Sequence, residues 1–422
     1  MPQQNDNVPL STKKMKRILP DSNVILSVPK ENLSVLERAN LNRHDQQSEQ
    51  PESLIFCYGL LSSYLHLQRL PNRLSKSNRV ITSIIVGEAH CIMMLADGQL
   101  VGMGSNEYGQ LGFSNDPKDQ QEYTVFVENI TILRIQGLNF SDRRNRDIVE
   151  QMTAGKNHNV FLVRNVATGQ RKILSFGLEN GIGIDGQTST HIPVEIVIPK
   201  LRKNNEDLSF LYSRYNTNVA VDKKNRIFLW GEDSSNLRLR KPKLFYTFNT
   251  KVKQVALGKR HGIVLTEELG IYGWGDGTYG ELGISENLPI ESPVVIPFFE
   301  KMQIDQISTG ARHTLALDCN GNIFAMGDNS EDQCAISGRR ANAPEKILKE
   351  FMVQQIYSGD SHNVTVSHDK NLYSWGGSMI NSSWTNQNSN DTKLRIMEDL
   401  KRRNISLIDL SYSNTIIVTN QS

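Results

Sequence analysis

Gly310-Ala311-Arg312-His313, followed by Thr314 to Asp318, a turn at Asn320-Gly321 and then Asn322-Ile323-Phe324-Ala325-Met326-Gly327, is one copy of a unit that recurs along the chain. Its opening returns at Gly87-Glu88-Ala89-His90, Gly155-Lys156-Asn157-His158, Gly258-Lys259-Arg260-His261 and Gly359-Asp360-Ser361-His362. Its close returns at Met103-Gly104, Phe176-Gly177, Trp274-Gly275 and Trp375-Gly376. His and Gly lie 14 residues apart in four copies and 19 in the second, where the extra residues fall around Ala167-Thr168-Gly169-Gln170. A degenerate copy, Ser213-Arg214-Tyr215-Asn216 and then Trp230-Gly231, fills the wide gap after the second, with Asn216 read in the His place at a spacing of 15.

Within each unit two short apolar runs flank Asp-Gly, Asn-Gly or a similar pair, residues that tolerate the positive φ of a tight hairpin turn. Each unit is therefore a small antiparallel sheet. One such sheet cannot bury both faces alone, so a period near 50 residues means stacking on neighbours, as a solenoid or a propeller. The two ends decide between them. Ile405 to Thr419 carries the first half of a unit, with Asn414 in the His place, and stops; Leu54-Ile55-Phe56-Cys57-Tyr58-Gly59 carries a second half with no Gly-x-x-His before it. Joined, they make a seventh unit and leave no long free strand edge. The expected fold is all-β: a seven-bladed β-propeller over 54–422, its last blade closed by N- and C-terminal strands.

Residues 1–53 are polar, without a repeat, and are expected to be largely disordered. They contain a basic cluster, Lys13, Lys14, Lys16 and Arg17, which reads either as a solvated charge run or as an import signal or phosphate contact. Glu31 to Asn40 reads as a short helix with Leu33, Val35 and Leu36 on one side. The formal net charge of +2 gives no whole-molecule reason for nucleic-acid or membrane binding. Cys57, Cys91, Cys319 and Cys334 show no Cys-x-x-Cys spacing, so zinc ribbons and thiol redox motifs are not supported. No apolar run approaches 18 residues, and the polar start lacks a signal-peptide core, so the expected location is intracellular, cytoplasm or nucleus.

This pattern resembles the regulator of chromosome condensation repeat family, whose units carry Gly-x-x-His, an apolar strand, a Gly turn, Trp-Gly and then Tyr-Gly-x-Leu-Gly. The last element stands here as Tyr108-Gly109-Gln110-Leu111-Gly112 and Tyr279-Gly280-Glu281-Leu282-Gly283. The resemblance covers roughly residues 54 to 420 and implies the seven-bladed propeller. It also brings a candidate activity, because the family's exchange factors act on the small GTPase Ran through one propeller face and a β-wedge inserted after an aromatic-Gly, with a basic tail ahead of the ring. Here Phe176-Gly177 is followed only by Leu178-Glu179-Asn180-Gly181-Ile182-Gly183, and Trp230-Gly231 by Glu232-Asp233-Ser234-Ser235-Asn236, so no exchange residue is carried over.

One histidine per blade at equivalent places cannot converge on a metal, whose ligands must meet within a few ångströms. His90, His158, His261, His313 and His362 are read instead as structural, satisfying buried backbone groups of the turns that carry them. Trp230, Trp274 and Trp375 are read as blade-packing residues. No nucleophile elbow, phosphate loop or zinc helix is present, and neither metal nor cofactor is expected. The expected function is a non-enzymatic interaction platform for protein partners. Its candidate face is Glu88, Lys156, Asn157, Lys259, Arg260, Arg312 and Asp360, whose mixed charge suits a protein better than nucleic acid. Long polar connections at 113–147, 187–206 and 377–404 are further candidates. The alternative is a guanine-nucleotide exchange factor for a Ran-like GTPase, with chromatin association through the basic tail.

Overall fold

The computed structural model describes residues 53–59, 67–69, 80–113, 126–140, 142, 144–183, 189–199, 201, 205–232, 238–268, 270–284, 289–349, 352–377, 394–397, 400–401 and 403–420. The basic tail and Glu31 to Asn40 lie outside them. The described residues form seven four-stranded antiparallel sheets, six of them in sequence order from innermost to outermost strand. Blade 1 runs Ile81–Val86, His90–Leu95, Leu100–Ser105 and Phe126–Ile132, and blade 2 runs Asp147–Ala154, His158–Asn165, Arg171–Leu178 and Ser189–Ile196. Blades 3 to 6 follow from Leu208, Val252, Ile304 and Val353. Blade 7 takes its inner strands from Asn404–Ser411 and Asn414–Asn420 and its outer ones from Ser53–Tyr58 and Leu67–Arg69. Each innermost strand packs on the next all the way round, so the ring is closed.

The seam is a full ladder, from Ser53 opposite Asn420 to Tyr58 opposite Thr415. Along that strand Ile55 and Cys57 enter the core shared with blade 1, while Leu54, Phe56 and Tyr58 enter the core shared with blade 6. This is the period of two at work on a strand buried on both faces. Seven apolar clusters result, one at each junction between blades. Each fully buried Leu, Ile or Phe in them contributes about 1.5–3 kcal/mol.

The Gly of Trp-Gly is obligatory for geometry. At Gly231 φ is +94°, and a Cβ would lie 1.9 Å from the carbonyl oxygen of Asn216. Its six counterparts also have positive φ, from +77° to +116°.

Outer strands escape a sequence reading because they are buried on one side at most. Three segments read as polar connections in fact contain them: Phe126–Ile132, Ser189–Ile196 and Arg395–Ile396. In blades 2 to 5 the outer strand carries a proline, Pro193, Pro242, Pro293 or Pro344, within a shift of register. Proline has no N–H to offer a further strand, which suits it to an edge.

Candidate functional site

The Gly-x-x-His turns meet on one face, around the mouth of the central channel. Their first variable residues are joined by backbone bonds, with Glu88 N–H donating to Lys156 O (3.0 Å), Lys156 to Tyr215 (2.5 Å), Lys259 to Ala311 (3.1 Å), Ala311 to Asp360 (2.9 Å) and Asp360 to Tyr412 (2.7 Å). Five of seven steps are thus hydrogen-bonded among the described residues; those from Tyr215 to Lys259 and from Tyr412 to Glu88 are not.

The histidines do not serve the turns that carry them. Each Nε2 reaches the side chain just after the His position in the next blade: His90 to Asn159 Oδ1 (2.9 Å), His158 to Asn218 Oδ1 (2.8 Å), His261 to Thr314 Oγ1 (3.1 Å), His313 to Asn363 Oδ1 (2.7 Å) and His362 to Thr415 Oγ1 (3.0 Å). The receiving residue is also held from the first blade's own loop. Asn159 Nδ2 donates to Gln110 O (2.7 Å), Asn218 to Gly181 O (2.8 Å), Thr314 Oγ1 to Glu281 O (2.9 Å) and Asn363 to Gln333 O (2.9 Å). These bonds orient the amide or hydroxyl so that its oxygen faces the imidazole, which must then donate from Nε2–H. Four Nδ1 atoms are left buried and unpartnered.

Gly and His form one unit. A Cβ on Gly310 would lie 2.0 Å from His313 Cε1, and the other four copies give the same clash. Burial lowers the pKa to about 4 at His90, His158 and His313 and about 3 at His261 and His362, with the cationic Arg214 adding to the fall at His261, His313 and His362. The rings are neutral at physiological pH and closed to substrate. No three His, Cys, Asp or Glu side chains among the described residues come together as a metal site.

The degenerate copy requires a correction. Thr217, not Asn216, pairs with Gly231, as His158 pairs with Gly177, so the frame is Arg214-Tyr215-Asn216-Thr217 at the ordinary spacing. Asn414, which opens the seam strand against Gly59, does occupy the His place. With no imidazole to accommodate, the Gly place holds Arg214 in blade 3 and Ser411 in blade 7. Both turns tighten, and Tyr215 and Tyr412 sit at φ +53°. A bulky side chain rarely takes that conformation. The two rings meet edge to face across the axis, 5.1 Å between centroids, and Tyr215 Oη donates to Asp360 Oδ1 (2.6 Å). Beneath them buried Arg214 crosses the channel to Thr309 O (2.7 Å) and Ser358 O (2.9 Å), in blades 5 and 6. Asn414 Nδ2 bridges the open step to blade 1 at Glu88 O (2.7 Å). Below this plug lies a cavity of about 340 Å³ lined by innermost strands of blades 1, 2, 3 and 7, with Asp409 on its wall.

Residues of the expected face are brought together on this side, but mostly engaged. Lys156 pairs with Glu88 (3.3 Å) and Arg260 with Asp276 (3.5 Å), while Asp360 takes the Tyr215 hydroxyl. Lys259 and Arg312 are exposed. Trp230, Trp274 and Trp375 are buried at the junctions. A feature that sequence reasoning missed is a glutamine four residues before the Gly. Gln151, Gln254 and Gln306 each give and take a bond with the next innermost strand, at Leu211, Ile307 and Ile356. Its signal was the recurrence Gln-x-x-x-Gly-x-x-His.

Two family profiles described as the regulator of chromosome condensation repeat match the chain, one at residues 270–317 and the other at 252–281 and 304–333. The chain carries regulator of chromosome condensation repeats, matched within residues 252–333, on a seven-bladed ring. Among relatives, it is 31% identical over 174 residues to human "Probable E3 ubiquitin-protein ligase HERC6" (37% of this chain, 17% of that protein). It is 25% identical over 281 residues to the "Ultraviolet-B receptor UVR8" of Arabidopsis thaliana (65% and 59%). The chain thus spans less than two thirds of these relatives. Among solved structures, Prp20p from Saccharomyces cerevisiae, described for its binding to Gsp1p and histones, superposes with a TM-score of 0.68 at 18% identity, over 88% of this chain and 92% of that one. That likeness concerns the fold.

Proposed function

We propose that the ring is a non-enzymatic platform that binds protein partners through its Gly-x-x-His face. The supporting observation is the construction of that face. The first variable residues of the blades are held by a backbone circuit and a filled axis, while the imidazoles beneath are neutral and closed off. Such a surface is rigid enough to position side chains without ordering cost, and its repeated imidazoles are neither charged nor accessible as acids or bases. Similarity to proteins named as a ligase and a receptor, and to one that binds Gsp1p and histones, fits a repeat used for interaction or regulation.

A second reading is guanine-nucleotide exchange on a Ran-like GTPase, favoured by the likeness to Prp20p; chromatin contact would then run through Lys13, Lys14, Lys16 and Arg17. After Phe176-Gly177, however, the chain forms a four-residue helix, Glu179–Ile182, that packs Gly181 on the His158 ring. The deciding experiment is release of a fluorescent GDP analogue from Ran with stoichiometric folded protein. Unchanged release, together with partner capture indifferent to GTP or GDP, is the expected outcome. Acceleration would replace the platform by the exchange factor. No helix among the described residues is long and apolar enough to cross a membrane; an intracellular location remains part of the proposal.

A further inference from the structure

Charge on the Gly-x-x-His face is unevenly settled. Glu88 and Lys156 neutralise each other, and Asp360 is bound by Tyr215. On blades 4 and 5 Arg260 faces Asp276 (3.5 Å), but Lys259 and Arg312 have no such partner among the described residues. The Arg312 guanidinium lies 4.4 Å from the centroid of the Tyr279 ring and that of Arg340 lies 5.6 Å from it, with Arg340 Nη1 tied to Thr278 O (2.9 Å). Two like charges are therefore held against one ring. Arg339 follows in the chain next to Arg340, and Lys259 is bonded through its backbone to Ala311, the neighbour of Arg312; all four cations are exposed.

No carboxylate among the described residues forms an ion pair with Arg312, Arg339, Arg340 or Lys259. The nearby acids are otherwise committed. Asp276 faces Arg260 (3.5 Å), and Asp328, opposite Arg340 in the ladder, accepts the Ser330 N–H (3.0 Å). Glu281 is buried and accepts the Tyr279 N–H (2.7 Å), and burial pushes its carboxyl up to about 7.

We infer that the Arg312–Tyr279–Arg340 stack, flanked by Lys259 and Arg339, docks a short acidic segment of a protein partner. This rests on the platform reading and names the part of the face that carries it. A guanidinium fixed on an aromatic ring keeps its edge free for a carboxylate, which it binds through two parallel bonds, and less side-chain freedom is lost on binding. Size and surroundings argue against a nucleic acid. The patch is two blades wide, and the acidic Asp276 lies three residues before Tyr279, whereas a duplex needs a long stripe of one sign.

The test is fluorescence anisotropy of a dye-labelled peptide rich in glutamate, beside its glutamine counterpart and a DNA duplex of similar length, on the full chain at low and high salt. The glutamate peptide should bind most tightly and lose affinity with salt. Arg312→Glu with Arg340→Glu should weaken it about tenfold or more. A charge-matched control, Lys253→Glu with Lys346→Glu, alters exposed cations away from the stack and should stay within about twofold. Circular dichroism and melting establish that both variants are folded. Equal binding of the two peptides, an unchanged double-arginine variant, or tighter DNA binding through the same pair would overturn the inference. If a captured partner still binds the double-arginine variant, the inference fails while the platform stands; if no folded form binds any partner, the platform itself falls.

Discussion

Five junctions of the ring are latched by histidine, and two, from blade 3 to 4 and from blade 7 to 1, are not. In the five, an imidazole lies on a glycine Cα and reaches one blade forward. In the two, Thr217 and Asn414 stand in the His place, and the Gly place is released to Arg214 and Ser411. The contacts are not lost but redirected. Arg214 spans the axis, Tyr215 and Tyr412 fill it, and Asn414 bridges the open backbone step. The difference shows that Gly-x-x-His works as a unit in which neither residue has a reason to persist without the other.

Acid should separate the two kinds of junction most strongly. A histidine whose folded pKa lies below its unfolded value of about 6.5 contributes stability that is complete above that pH and is lost as pH falls towards the folded pKa. The five imidazoles act in this direction between about pH 6.5 and 4. Glu281 and Asp409, both raised to about 7, act in the opposite one, since the folded protein holds their protons where the unfolded chain has released them. The balance is about three protons taken up on unfolding near pH 5.5, or about 4 kcal/mol lost per pH unit. Denaturant titrations from pH 7 to 5 measure it. His313→Asn, which copies the residue of blade 7, should reduce the slope by about one proton.

Arg214→Ala comes next. It removes both cross-channel bonds and strands two buried carbonyls, so a loss of about 3 kcal/mol is expected in equilibrium unfolding. A loss below about 1 kcal/mol would mean that the axis plug is ornamental. Gly310→Ala should cost about 2 kcal/mol by displacing His313, and adding His313→Asn should return more than half of it. Additive costs would break the claim that the pair is one unit. Smallest of all, Arg312→Ala should change stability by less than about 0.5 kcal/mol, because its one contact is an exposed stack.

Much of this was legible in the residues. The phase of Gly-x-x-His against aromatic-Gly gave the blades, and the two half-units gave the closure, because backbone geometry forces both glycines. The outer strands were hidden, since a half-exposed edge with a proline has the composition of a loop. Blade 3 was read one residue out of frame because Trp230-Gly231 fixed its end, while nothing in Arg214 to Thr217 fixed its start. The fifth blade's loop escaped for a related reason: Asp332 and Ala335 take the positive φ that Gly109 and Gly112 take in blade 1. The histidine latches could have been found from the residue after each His, which is Asn159, Thr314 or Asn363 wherever the next blade receives an imidazole. The crossing by Arg214 could not, because it joins residues 95 and 144 positions apart with no local signature.

The seam has a consequence in time. Ser53 and Asn420 are 367 residues apart, and a ribosome makes the second strand of blade 7 only after all the other blades. Closing that loop costs about 2 kcal/mol more entropy than closing one blade of about 50 residues, modest beside the ladder it forms. Until then blades 1 and 6 each expose an apolar face with no partner, in a nascent chain whose neighbours on a polysome expose the same faces. The clasp that leaves the finished ring without a loose end therefore makes the unfinished one wait, and the burden of keeping it apart from its neighbours falls on the cell.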